Sequence, residues 1–200
     1  DLIAYPEFAK ASQLSFAGRP NVSNRAPPAA VGPVTYAAHD ANQHELRCLR
    51  AALDAQERPF EDAFVTAPSP GIVATAMENR FYPDEESYLA AIGDALRVEY
   101  AAAVHAGFVL QIDAPDLAME RHIAFADRPL DAFVGFVERV VTQLDRALER
   151  LPRERIRLHV CWGNYEGPHD CDVALREILP VILQANVGGL LLSFANPRHQ

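Results

Sequence analysis

The stretch from residue 84 to 116, DEESYLAAIGDALRVEYAAAVHAGFVLQIDAPD, decides the fold. Asp84 follows Pro83 and has the side chain of a helix cap. From Glu85 to His105, Leu89, Ile92, Leu96 and Tyr100 recur at helical spacing and give a buried stripe. Glu85 and Glu86 suit the positive end of the helix dipole. Gly107 closes the helix as a C-terminal glycine. Phe108-Val109-Leu110-Gln111-Ile112 follows at once as a strand and stops at Asp113-Ala114-Pro115. An amphipathic helix feeding a nearly continuous apolar strand is the signature of a parallel sheet.

The same rhythm extends both ways. Upstream, Asn42 to Gln56 reads as a helix carrying Leu46, Leu49, Ala52 and Leu53, and Ala63 to Thr66 as a short strand that ends in the turn-rich Ala67-Pro68-Ser69-Pro70-Gly71. Ala29 to Tyr36 is a short apolar run, and residues 1–30 before it are irregular, punctuated by prolines and glycine. Downstream, Leu130 to Arg150 is a helix with Phe133, Phe136, Val137, Val140 and Leu144 on one face. Arg155 to Cys161 is a strand, Asp172 to Asn186 a helix, and Gly189 to Phe194 a final strand. The alternation predicts an α/β chain with a parallel sheet, either open and doubly wound or part of a closed barrel. No Gly-x-Gly-x-x-Gly or Walker-type loop follows any strand, which weighs against a dinucleotide-binding sheet.

The totals exclude some functions. Half of the 200 residues are apolar and 22% are charged, an ordinary globular balance. The net charge of −9 argues against binding a phosphate backbone, so no nucleic-acid partner is expected. The densest apolar run, Ile178 to Leu192, is broken by Pro180, Gln184, Asn186 and two glycines, so no membrane span is expected. Three cysteines, Cys48, Cys161 and Cys171, do not make a disulfide framework. A reducing, cytoplasmic setting is the expectation.

Polar residues gather where the strands end. The clusters are Thr66 to Pro70, Gln111 to Asp116, His159 to Tyr165, and Ser193 to His199. In parallel α/β proteins ligands bind at the carboxyl ends of the strands. His159 and Cys161 are two apart and therefore share a strand face. An imidazole beside a thiolate makes half of a tetrahedral zinc site, or else simple packing. Asp113 leaves an apolar strand, either as a rim carboxylate awaiting a partner or as the cap of the next helix. Gln111 reads either as a residue that orients a neighbour or as a barrel-interior hydrogen bond. Cys171 reads as the start of a helix or as a thiol that approaches the site from the loop, and Cys48 as a structural residue. Ser69 lies between prolines rather than in a Gly-x-Ser-x-Gly elbow, so it is not read as a nucleophile.

In order, Thr66-Ala67-Pro68-Ser69-Pro70-Gly71, Tyr82-Pro83-Asp84-Glu85-Glu86, Gln111-Ile112-Asp113-Ala114-Pro115-Asp116-Leu117, His159-Val160-Cys161-Trp162-Gly163-Asn164-Tyr165 and Ala195-Asn196-Pro197-Arg198-His199 resemble the catalytic domain of cobalamin-independent methionine synthase and its shorter relatives, which include epoxyalkane coenzyme M transferases. The Trp-Gly-Asn-Tyr extension is closer to the short relatives. The resemblance implies a TIM-type (β/α)8 barrel, of which this chain would cover about five of the eight βα units as one partial domain over residues 1–200. It implies zinc as cofactor, held by His159 and Cys161. It implies that Asp113 is catalytic and faces the substrate, with Gln111, Ser69, Asn164 and Tyr165 beside it. The implied reaction transfers a methyl or alkyl group from a small donor to a thiol acceptor, with the thiol activated by zinc. The family's acidic zinc ligand lies near the strand that here reads Leu192-Ser193-Phe194, where no Asp or Glu stands. A further cysteine ligand comes from a later strand of the family. A metal-free lyase or decarboxylase on the same barrel, of the uroporphyrinogen decarboxylase type, is the alternative. Open sheet edges would suit a completing partner, including another copy of the chain.

Overall fold

The computed structural model describes residues 28–163 and 171–193. Its centre is a parallel four-stranded sheet of β2 (Phe64–Pro68), β4 (Val109–Asp113), β5 (Ile156–Val160) and β6 (Gly189–Leu192), in that spatial order. Each strand lies beside the next one in sequence. A doubly wound sheet reverses its order at a switch point, and the described strands show no reversal. A second sheet holds only β1 (Ala29–Ala30) and β3 (Glu78–Asn79). The expected apolar run Ala29 to Tyr36 therefore supplies a two-residue strand outside the main sheet, and four strands rather than five line up among the described residues.

The helices are α1 (His39–Asp54), α2 (Pro70–Ala76), α3 (Glu85–His105), α4 (Asp116–Met119), α5 (Leu130–Leu148) and α6 (Leu175–Ile182). The bounds of α3 match the sequence reading. Asp84 accepts a hydrogen bond from the Ser87 amide at 2.7 Å, which satisfies one of the free donors of the first turn. At the other end Gly107 takes φ +84, a conformation that a side chain disfavours. The chain then enters β4 directly. α5 packs between α3 and α6, so the helices form a continuous layer. They bury Phe133, Phe136, Val140, Leu144 and Leu148 in one core with Leu110, Ile112, Ile156, Leu158 and Val160 of the strands.

The segment after β2 is not merely a turn. Ser69 caps α2, with Pro70 at its first position, the favoured place for proline. Gly71 is needed next, because a Cβ there would stand 2.0 Å from Asp116 Oδ2. The helix expected over Asp172 to Asn186 is shorter, Leu175–Ile182. Among the described residues no helix is long and apolar enough to cross a membrane.

Candidate functional site

Parallel register builds the site in two rows. The upper row across the sheet is Pro68, Asp113, His159 and Leu191; the lower row is Thr66, Gln111, Arg157 and Gly189. Because strand side chains alternate, all eight positions share one face. The intervening residues Ile112, Leu158 and Leu110 are fully buried on the other. The polar face is thus set by a period of two in β4 and β5, and its neighbours are set by register.

Four side chains on this face form one hydrogen-bonded chain. Arg157 Nε donates to Gln111 Oε1 at 2.8 Å. Gln111 Nε2 donates to Asp113 Oδ1, also at 2.8 Å. His159 Nδ1 meets the same Oδ1 at 2.9 Å. A carboxylate only accepts, so the hydrogen of this contact belongs to Nδ1. In the neutral imidazole Nε2 then carries the lone pair, and no described residue hydrogen-bonds it. Arg157 also lies over the ring of Phe64, its guanidinium carbon 4.0 Å from the ring centre. The His159 side chain is 26% exposed and that of Asp113 is 40% exposed, so both are reachable from solvent.

Cys161, a free and half-buried thiol, directly follows β5 on the His159 face. The chain is turned away just beyond it. Trp162 is buried and its indole N–H donates to the Val173 carbonyl at 2.7 Å. Gly163 takes φ +83, and a Cβ there would lie 2.7 Å from Met119 Sδ. These contacts hold Cys161 at the rim rather than let it continue into the core.

The other expected site residues fall into two groups. Asn164 and Tyr165 lie outside the described residues. Ser69 is fully buried, and its hydroxyl is already engaged: it accepts from the Ile72 amide at 3.1 Å and donates to Asp116 Oδ1 at 2.5 Å. Asp113 is a rim carboxylate and not a helix cap, since Pro115 holds the cap position of α4. Cys48 is exposed on α1, 3.5 Å from His44 Nε2.

Sequence reasoning missed Arg157 and Asp116. Arg157 was findable, as it stands two before His159 and so shares its face. Asp116 is fully buried; burial above all, with Glu120 adding, pushes its carboxyl up to about 7 against the opposing Ser69 hydrogen bond. Its Oδ2 meets no hydrogen-bond donor among the described residues. A hollow of about 440 Å³ lined by Arg50, Asp62 and Arg155 lies at the opposite, amino-terminal end of the sheet, away from the polar face.

His159 and Cys161 offer a metal two donors of the kinds zinc prefers. The Asp113 contact on Nδ1 is the usual outer support of a metal-bound histidine. Among the described residues no third His, Cys, Asp or Glu joins them in one group. Leu191 occupies the position in register with His159 on β6.

These features define a class: a parallel α/β protein with a polar rim at the carboxyl ends of its strands. Among solved structures, the chain is similar to a B12-independent methionine synthase from Shewanella sp. W3-18-1 in complex with selenomethionine, with a TM-score of 0.53 and 17% identity. The match covers 78% of this chain and 43% of that one, so this chain spans less than half the length of that enzyme. At such identity the likeness concerns the fold. No family model and no curated protein matches the chain.

Proposed function

We propose that the chain is an arc of a (β/α)8 barrel and that it transfers a methyl or alkyl group to a zinc-activated thiol, as methionine synthase-like enzymes do. Sequential strand order and a single run of packed helices support the arc, because a barrel winds in that way without a switch point. The observation that carries the function is the Asp113–His159 contact of 2.9 Å beside Cys161. In the neutral ring it orients the imidazole with Nε2 bare, two residues before the Cys161 thiol.

Zinc bound there would supply a Lewis acid that favours the thiolate of a coordinated acceptor thiol, whose proton leaves to solvent, since the thiolate is the reactive form. His159 and Cys161 would hold it. Asp113 keeps Oδ2 for a cationic group of the acceptor, because both of its described hydrogen bonds fall on Oδ1.

A second reading, a metal-free lyase or decarboxylase, draws on one observation: Leu191, and not an acid, stands in register with His159. Elemental analysis of purified protein separates the two. Near-stoichiometric zinc, lost in Cys161→Ser together with consumption of a thiol by a methyl or epoxide donor, is the expected result. A folded protein without zinc, and Cys161→Ser that is unchanged, would reject the transferase.

A further inference from the structure

We infer that Arg157 and Gln111 are positioning residues that hold the Asp113 carboxylate against His159 Nδ1 and, through it, keep the tautomer and ring plane of His159, a role that rests on the proposed metal site for its use but not for its existence. The chain Arg157–Gln111–Asp113–His159 has only one consistent hydrogen-bond polarity. Arg157 has donors alone, so Gln111 must turn its Oε1 toward it. The amide then presents Nε2 to Asp113, which as a carboxylate accepts. Asp113 Oδ1 in turn takes the hydrogen of His159 Nδ1. Each member removes a freedom from the next. Without Arg157, the Gln111 amide can flip and set its oxygen against the carboxylate.

The surroundings are fitted to this chain. Gln111 is 7% exposed, so its two hydrogen bonds are shielded from competing water. Gly189 stands in register with Arg157 and brings no side chain beside it. Phe64, two strands away on β2, supports the guanidinium from below at 4.0 Å. Three strands therefore converge on one imidazole orientation. Neutral histidine in water favours the hydrogen on Nε2, so the Nδ1–H form is one that the protein has to impose.

The test uses the full chain, metal-free, labelled with 15N, with imidazole tautomers read from long-range proton–nitrogen spectra at a pH above the imidazole range. His159→Gln assigns the signal. The wild type should show His159 as Nδ1–H. Arg157→Met and Gln111→Leu should move it toward Nε2–H, with Arg157→Lys restoring part of the shift. Phe64→Leu, at a half-exposed ring, gives a milder version should the buried substitutions fail to fold. Zinc affinity, measured against a chromophoric chelator, should weaken by about tenfold in Arg157→Met and Gln111→Leu, the lower end of the usual loss for outer-sphere partners. Folded variants with an unchanged His159 tautomer would overturn the inference. A tautomer that responds in a protein that holds no zinc would sustain the positioning role and reject the metal-dependent function.

Discussion

Replacing Asp116 with asparagine should change how stability depends on pH. Burial raises the Asp116 carboxyl from an ordinary 3.8 to about 7. The native state therefore keeps a proton that the unfolded chain releases. Between those two values the folded protein binds more protons, so stability falls as pH rises and levels off above the native value. About three pKa units at ~1.36 kcal/mol each give a loss of about 4 kcal/mol from about pH 4 to about pH 8. The asparagine side chain keeps an acceptor for the Ser69 hydroxyl and has no charge to bury. Its extra N–H groups have no evident partner, which adds a penalty independent of pH. The informative quantity is hence the difference between wild type and variant across pH, from urea unfolding at each value. That difference should move by about 4 kcal/mol in favour of Asp116→Asn as pH rises. A flat difference curve would mean that Asp116 is not held protonated by burial.

Gly71→Ala should cost about 1–3 kcal/mol in thermal or urea unfolding, since its Cβ would sit 2.0 Å from Asp116 Oδ2 and 2.7 Å from Val140 Cγ2. Asp113→Asn should lower zinc affinity by about 10–100-fold without abolishing it and should weaken acceptor binding, both readable by titration. Ser193→Glu should tighten zinc in chelator competition, because Ser193 stands two residues after Leu191, the register partner of His159, and an acid there would add a donor. Equal affinity in that variant would show that the β6 edge does not reach the metal.

How much was legible follows the range of the signals. The ends of α3 were readable because Asp84 and Gly107 mark them within the sequence itself. The strands were readable from apolar runs, and a shared face for His159 and Cys161 is what the period of two predicts. α2 was passed over as a turn, although a Ser cap followed by Pro is a helix start. The pairing of β1 with β3 joins short segments far apart in the chain, and no local pattern announces it. The same holds for the site. Nothing near Arg157 in sequence says that it meets Gln111, or that Phe64 lies under it. Those contacts come from register, which only the assembled sheet specifies. Ser69 stood in a cluster at a strand end, yet burial turned its hydroxyl to Asp116 rather than to the open face.

The central claim is that His159 and Cys161 together hold zinc. Zinc-edge X-ray absorption on the full chain loaded with one equivalent of metal tests it most directly. The expected first shell holds one sulfur at ~2.3 Å and imidazole nitrogen at ~2.0 Å, with the sulfur lost in Cys161→Ser. A first shell of oxygen and nitrogen alone in the wild type, or a sulfur that survives Cys161→Ser, would contradict it.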